Sequence, residues 1–234
     1  MVDAADAPVL AVLTRAPSAG GKTRLFASLG VSPDQDLLAA LLRDTLAGAA
    51  LPGVRLVVAV TPASACDEVR AIVGEVEVMA QPDGDLGERM RATMTVRFAR
   101  GAAAVALIGS DVPHITPATI AHAFAHVARD PDALVLGPST DGGYYLIAAR
   151  RVPDVFRGME WGSERVLAQT ERAAMADQFH VHHLEALADV DTADDLRGAA
   201  RSGRAPRTAD WLRAHESQSP SSRRRMIASR GHAW

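Results

Sequence analysis

Short segments made almost entirely of apolar residues recur along the chain, and each is followed by turn-forming residues. Five of them are residues 8–13, 54–60, 76–80, 104–108 and 133–136. Only Arg55 and Glu77 interrupt these runs. Apolar runs of this length are typical of strands that helices cover on both faces. The segments between them place apolar residues at helical spacing, as in the leucine-rich stretch 33–50. This alternation predicts a parallel, doubly wound sheet.

The second half of the chain departs from this rhythm. Residues 144–149 follow a short loop and predict a strand antiparallel to its neighbour, and residues 179–182 predict an edge strand. We predict helices over residues 33–50, 61–72, 88–100, 116–128, 163–176, 192–200 and 208–215, with Ser163 capping the fifth. The expected fold is a single three-layer α/β/α domain, residues 1–215, with a mostly parallel, Rossmann-like sheet. Ser, Pro and Arg predominate over residues 216–234, which predicts a disordered tail.

The overall composition argues against nucleic-acid and membrane partners. A chain of 234 residues can bury a core, and its net charge of -3 gives no general reason to expect nucleic-acid binding. The single cysteine, Cys66, excludes an internal disulfide and fits a reducing compartment. There is no basic signal sequence and no apolar stretch of membrane-spanning length. We therefore expect a cytoplasmic protein without nucleic-acid or membrane partners, whose Leu- and Val-rich faces leave room for a homodimer.

A candidate metal ligand follows the central apolar segment 104–108, which runs into Gly109, Ser110 and Asp111. Open α/β sheets bind ligands beyond the carboxyl ends of their strands. A carboxylate at that position suits a divalent cation that carries phosphates. The alternative is that Asp111 only shapes the turn or caps the next helix.

A cationic, glycine-rich loop follows the first predicted strand. Its residues 20–24, Gly-Gly-Lys-Thr-Arg, combine accessible backbone N–H groups with the charges of Lys22 and Arg24, which suits a polyphosphate. The Walker motif G-x-x-x-x-G-K-T is one alternative, but Ala16 replaces its first glycine and Gly30 interrupts the following helix. A solvated basic turn is the other alternative.

Two further segments add carboxylates. The loop 137–143 follows a predicted strand and should reach the same end of the sheet as Asp111, which would make Asp141 a second acid there. A tight turn between two strands is the alternative for this loop. Asp189 and Asp191 alternate in a short extended segment, so that one carboxylate of the pair can be directed into a metal site.

Six motifs stand in a fixed order: GGKTRL, GDLGERM, IGSDVP, GPSTDGGYYLI, WGSERVL and DVDTADDL. The set resembles the bacterial glycosyltransferase-A-fold proteins grouped as CofC-like, which are similar to the guanylyltransferases for 2-phospholactate and for the molybdenum cofactor. The resemblance covers residues 8–200, and the ordered combination is more specific than any single motif. It implies the nucleotide-diphospho-sugar transferase fold.

The resemblance also implies roles for particular residues. The Gly-Lys-Thr-Arg loop would bind nucleotide phosphates, and Mg²⁺ or Mn²⁺ would be held by Asp111 and Asp191. Because this loop is one residue shorter than in such relatives, it stays open whether Lys22 or Arg24 makes the leading phosphate contact. The predicted catalytic residues are Lys22, Arg24, Asp111 and Asp141. The predicted nucleotide-binding residues are Gly20, Gly21, Lys22, Thr23, Arg24, Gln81, Gly84, Asp85, Leu86, Gly87, Arg89, Gly109 and Ser110. The predicted acceptor-binding residues are Thr140, Asp141, Gly142, Gly143 and Trp161.

Three functions compete at this point. The first is transfer of a nucleotidyl group, GMP by the resemblance, from a nucleoside triphosphate to a small phosphorylated acceptor, with release of pyrophosphate. The second is glycosyl transfer from a nucleotide sugar, with Asp141 as a base. The third is nucleotide binding without catalysis, or an ATPase. The cationic loop favours the first, because a triphosphate needs such a cradle more than a sugar diphosphate does, and acids at three separate segments argue against a purely binding role.

Overall fold

The computed structural model describes residues 7–216. Its strands are β1 (Val9–Arg15), β2 (Arg55–Thr61), β3 (Glu77–Ala80), β4 (Val105–Gly109), β5 (Ala133–Pro138), β6 (Tyr144–Ala149) and β7 (His180–His183). Its α-helices are α1 (Thr23–Leu29), α2 (Gln35–Ala49), α3 (Cys66–Val73), α4 (Leu86–Ala99), α5 (Pro117–Arg129), α6 (Val166–Ala176), α7 (Ala193–Arg201) and α8 (Pro206–Glu216). Two 3-10 helices, Pro17–Ala19 and Ala63–Ala65, precede α1 and α3.

The strands form one sheet in the order β3-β2-β1-β4-β6-β5-β7. Neighbouring strands are parallel except where β6 takes part, since β6 runs antiparallel to both β4 and β5. The mostly parallel sheet, the antiparallel β6 and the edge strand β7 are all confirmed. Because β6 reverses direction, the carboxyl ends of β1, β4 and β5 reach the same edge of the sheet.

The central strands alternate their side chains between two apolar layers. Leu10 and Val12 of β1 pack into the layer covered by α2, α3 and α5, whereas Val9 and Ala11 pack into the layer covered by α4 and α6. All four side chains are completely buried. The continuous apolar pattern of the first strand therefore reflects burial on both faces, as the sequence predicts.

The start of α4 differs from the prediction. The helix begins at Leu86 rather than Glu88, because Asp85 and Glu88 form a capping box. Asp85 Oδ1 accepts a hydrogen bond from Glu88 N at 2.8 Å, and Glu88 Oε2 accepts one from Asp85 N at 2.9 Å. Two of the predicted nucleotide-binding residues, Leu86 and Gly87, therefore lie in the first turn of this helix.

Helices α3 and α6, in contrast, begin later than predicted. A 3-10 turn follows the second strand, so that α3 begins at Cys66 and not at Thr61. α6 begins at Val166, and Arg165 rather than Ser163 occupies its cap position. The Ser163 hydroxyl accepts a hydrogen bond from Arg165 N at 3.3 Å, just outside the helix. In both segments a short turn forms backbone hydrogen bonds before the α-helix begins.

A third apolar cluster joins α1 to α2, α7 and α8. Leu25 of α1 and Leu196 of α7 are completely buried in this cluster, which also contains the buried Trp211 of α8. The Ser28 hydroxyl of α1 also accepts a hydrogen bond from Ala193 N, the first residue of α7, at 2.8 Å. The cationic start of α1 is thereby held beside the acidic segment that leads into α7.

The carboxylate of Asp44 in α2 anchors the start of α8. The residue is completely buried; its Oδ2 accepts a hydrogen bond from Thr208 N at 2.8 Å and its Oδ1 one from Arg207 Nη1 at 3.2 Å. We expect Asp44→Ala to lower the free energy of unfolding by about 2–4 kcal/mol, because these donors lose their acceptor. Equilibrium urea denaturation measures the loss. Asp67→Ala, which removes an acid that is 94% exposed, is the control, and equal losses in the two variants would contradict the anchoring role.

Among the helices of residues 7–216, none has the length and apolar character that crossing a membrane requires. The predicted tail, residues 216–234, lies outside the described residues except for Glu216, the last residue of α8. The division of the chain into a domain over 1–215 and a tail stays a prediction.

Candidate active site

A cleft of about 460 Å³ opens at the carboxyl ends of the central strands. β1 and β4 lie side by side there, and the chain continues from β1 towards one edge of the sheet and from β4 towards the other. Ligands of open α/β sheets bind at such switch points. The predicted site residues in the cleft wall are Gly20, Gly21, Lys22, Leu86, Gly109, Ser110, Asp111, Asp141, Gly143 and Trp161.

The glycine-rich loop after β1 enters the cleft wall with an unusual backbone. Gly20, Gly21 and Lys22 have φ angles of 68°, 126° and 52°. Glycine adopts positive φ without steric cost, but lysine does so at some cost, and such strain clusters at functional sites. α1 begins at the next residue, Thr23, inside the segment interpreted as a loop, and it ends after two turns at Leu29. The short helix agrees with the interruption that the sequence indicates.

Lys22 joins the two predicted metal ligands. Its Nζ lies 2.6 Å from Asp111 Oδ2 and 2.6 Å from Asp191 Oδ1. Arg24 also donates a hydrogen bond to Asp191, although its own side chain is 78% exposed. Burial by itself would lower the pKa of Lys22, but the two carboxylates outweigh burial and raise this pKa above its ordinary value. Lys22 therefore carries its full charge at neutral pH.

A third carboxylate belongs to the same acidic group. Asp111, Asp189 and Asp191 each offer an oxygen, and these oxygens lie within 4.8 Å of one another. Burial raises the pKa of Asp189 to about 6, and the neighbouring charge of Asp111 acts in the same direction. The sequence prediction assigns Asp111 and Asp191 to the metal but not Asp189. The sequence feature that indicates both Asp189 and Asp191 is their spacing on either side of Val190, which is completely buried. Alternate residues of an extended segment face the same side.

Backbone contacts set the position of Asp111. Its carbonyl oxygen accepts a hydrogen bond from Val190 N at 2.9 Å, which joins the end of β4 to the segment that carries the other two acids. A Cβ at Gly109 would lie 2.5 Å from Asp111 Oδ1, so the carboxylate occupies space that only glycine leaves free. The acids meet because these backbone contacts hold two distant segments together.

The opposite wall of the cleft contains the loop between β5 and β6. Asp141 Oδ1 accepts a hydrogen bond from Gly143 N at 3.0 Å and another from the Ser139 hydroxyl. Burial would raise the pKa of Asp141, but these two hydrogen bonds help to keep it below its ordinary value. Tyr144 and Trp161 add aromatic surface to this wall. The Asp141 carboxylate is thus an ionised group that orders its own loop.

The remaining predicted site residues lie outside the cleft wall. They are Thr23, Arg24, Gln81, Gly84, Asp85, Gly87, Arg89, Thr140, Gly142 and Asp191. Asp191 adjoins the cleft through its contact with Lys22, and Arg24 adjoins it through its contact with Asp191.

Gln81 is buried, and its Nε2 donates hydrogen bonds to backbone carbonyls of β1 and β2 at 3.2 and 2.6 Å, so its amide holds the strand ends together. Gly87 packs beneath the indole of Trp161, where a Cβ would come within 2.7 Å of the ring.

Known proteins similar to this chain share most of its length. It is 32% identical over 190 residues to the phosphoenolpyruvate guanylyltransferase of Salinispora arenicola (strain CNS-205), which covers 80% of this chain and 86% of that protein. It is 29% identical over 194 residues to the protein of the same name from Streptomyces coelicolor, with coverages of 82% and 89%. The crystal structure of a putative nucleotide-diphospho-sugar transferase from Desulfovibrio desulfuricans G20 superposes with a TM-score of 0.80 at 29% identity and covers 91% of this chain and 96% of that one.

Fold and site together define a nucleotidyltransferase with the nucleotide-diphospho-sugar transferase fold. Residues 45–163 match the family described as "Uncharacterized protein conserved in bacteria (DUF2064)". The chain belongs to this family, and the resemblance to CofC-like proteins that the six motifs indicate is confirmed.

Proposed function

We propose that this protein transfers a GMP group from GTP to a small phosphorylated acid, with phosphoenolpyruvate as the first acceptor to test. One observation carries the proposal. The cationic loop at residues 20–24 and the acids at 111, 189 and 191 are far apart in sequence, yet they meet around one cleft at the carboxyl edge of the sheet. The choice of the guanylyl group and of the acceptor is supported by the similarity to phosphoenolpyruvate guanylyltransferases.

In this reaction an oxygen of the acceptor's phosphate forms a bond to the α-phosphorus of GTP. The bond from that phosphorus to the bridging oxygen of the β-phosphate breaks, and pyrophosphate leaves with the electron pair. Lys22 and Arg24 bind the triphosphate and offset the charge on the departing pyrophosphate. Such a transfer depends on positioning and charge neutralisation, so the site needs no protein nucleophile.

The acidic group is suited to a divalent cation, and we assign Asp111, Asp189 and Asp191 to this role. Three carboxylates with oxygens within 4.8 Å of one another are the hard oxygen ligands that Mg²⁺ and Mn²⁺ prefer. Such an ion, when bound, neutralises phosphate charge and orients the reacting phosphate. The chain's own contribution is to hold the three carboxylates in place through the backbone contacts around Asp111.

We assign the acceptor to the wall formed by residues 139–145 and Trp161. Arg24 lies close enough to Asp141 to contribute to the lowering of its pKa, and it also contacts Asp191. One exposed guanidinium can therefore serve both the triphosphate and the acidic acceptor. The order of the loop depends on Asp141, which binds Gly143 N and the Ser139 hydroxyl.

A panel of substrates tests this function. The protein is incubated with Mg²⁺ and one of GTP, ATP, CTP or UTP, together with phosphoenolpyruvate or another small phosphorylated acid, and pyrophosphate release is followed. We expect release only when GTP and an acceptor are both present. Absence of pyrophosphate across the panel, with nucleoside diphosphate formed from a nucleotide sugar instead, would replace nucleotidyl transfer by glycosyl transfer.

The cytoplasmic location belongs to the same proposal. Its support is the single cysteine in a chain of 234 residues, a composition that suits a reducing compartment. The predicted homodimer remains a prediction.

A further inference from the structure

The ammonium group of Lys22 lies between two of the carboxylates that we assign to the divalent cation. The side chain is 18% exposed, and its Nζ contacts Asp111 Oδ2 and Asp191 Oδ1 at 2.6 Å each. These two acids also share the oxygen cluster with Asp189. One positive charge thus already occupies the part of the cleft where the negative charge is concentrated.

We propose that Lys22 is a removable counter-cation that keeps free divalent metal out of the acidic group until a nucleotide arrives. The triphosphate, if the proposed function holds, offers Lys22 a more highly charged partner and draws the ammonium away from Asp111 and Asp191. The metal then binds with the nucleotide rather than before it. Because binding free energies are reciprocal, whatever displaces Lys22 raises the affinity for the metal.

The chemistry of lysine suits this exchange. Its ammonium is a compact point charge on a flexible four-carbon stem, so it can move between carboxylates and phosphates by rotation about single bonds. The left-handed backbone at Lys22, with φ of 52°, separates the residue from the helix that begins at Thr23. Arg24 contacts only Asp191 among the three acids and is far more exposed, so it does not block the centre of the group.

Binding of Mn²⁺ alone, without nucleotide, tests the proposal. Titrations followed by electron paramagnetic resonance compare the wild type with Lys22→Met, which keeps an unbranched side chain one atom shorter and removes its charge. We expect Lys22→Met to bind Mn²⁺ at least about tenfold more tightly, because two carboxylates lose a competing cation at contact distance. The same variant should lose turnover, since Lys22 also serves the triphosphate.

Two control variants separate direct competition from a general change in charge. Arg15→Met removes a cation that lines the cleft and donates to the Ala19 carbonyl oxygen, and we expect its Mn²⁺ affinity to stay close to that of the wild type. Arg24→Met removes a contact with one acid and should give a smaller gain than Lys22→Met. Similar gains in all three variants would overturn the proposal, as would unchanged or weaker Mn²⁺ binding in Lys22→Met.

A second variant and a measurement on the wild type also test competition between Lys22 and the metal. Lys22→Gln is the second substitution if circular dichroism shows that Lys22→Met is unfolded. In the wild type, excess Mg²⁺ alone should shift the ¹⁵N resonance of the Lys22 ammonium, and no shift at saturating metal would count against competition. The function proposed above fails separately, if the wild type releases no pyrophosphate, whatever the Mn²⁺ titrations show.

Discussion

Asp111→Ala is expected to slow pyrophosphate release about 10³-fold. The site loses one of the three carboxylates that we assign to the divalent cation, and that cation would neutralise the charge of the reacting phosphates. This side chain contacts Lys22 Nζ at 2.6 Å and belongs to the oxygen cluster with Asp189 and Asp191. The fold should persist, since the substitution leaves the backbone carbonyl oxygen that binds Val190 N. Initial rates at saturating GTP and acceptor measure the loss, and thermal unfolding verifies that the protein is folded.

Asp194→Ala is the matched control for this prediction. Asp194 lies in the first turn of α7, its side chain is 94% exposed, and it pairs with Arg197 on the same helix. It carries the same charge a few residues from Asp191 but lies outside the acidic group, so its removal should leave the rate nearly unchanged. A folded Asp111→Ala protein with the activity of this control would remove Asp111 from the catalytic machinery.

Gly142→Ala is expected to lower the free energy of unfolding by about 3 kcal/mol and to abolish acceptor use, because the new methyl group has no space. Gly142 has φ of 90°, and a Cβ there would overlap the carbonyl oxygen of Glu164 and lie 2.5 Å from Glu164 Cα. Both are backbone atoms, which cannot rotate away. Leu167 N also donates to the Gly142 carbonyl oxygen at 3.0 Å, so a shift of the loop would disturb the start of α6.

Gly158→Ala distinguishes the clash from the cost of the backbone conformation. Gly158 has a comparable positive φ of 67°, but a Cβ at this position would have nothing within 4 Å. We expect it to cost only about 1 kcal/mol, as for other residues placed in the left-handed region. Urea denaturation of both variants gives the comparison. If the two losses are equal, the overlap with the backbone of Glu164 adds no cost, which would contradict the prediction.

The strands were the most predictable part of the fold. Val9, Leu10, Ala11 and Val12 are completely buried on alternating faces, and burial on both sides leaves a signal in the composition of the strand itself. Helix starts were less predictable, because local hydrogen bonds decide them. At α4 the capping box of Asp85 and Glu88 starts the helix at Leu86, two residues before the predicted start at Glu88.

Part of the candidate site was predictable, because some of its residues belong to local sequence motifs. Lys22, Asp111 and Asp191 are recognisable because each belongs to a motif that follows a strand or precedes a helix, and the structure brings all three into contact. The metal-binding role that we propose for Asp189 was not predicted, because it depends on where the segment before α7 lies relative to β4. The nucleotide contact of Gln81 stays a prediction, and in the structure its side-chain amide binds backbone carbonyls of β1 and β2.

The amino-acid sequence by itself determined the order of strands and helices, the position of the turns and the ends of strands where ligands bind, because these follow from local periodicity and from turn chemistry. Only the tertiary structure decided which charges meet. Lys22 lies 89 residues from Asp111 and 169 residues from Asp191 along the chain. Their contact depends on the pairing of β1 with β4 and on the packing of α1 against α7. Interactions between distant segments arise from the packing of the whole core, and no local pattern encodes them.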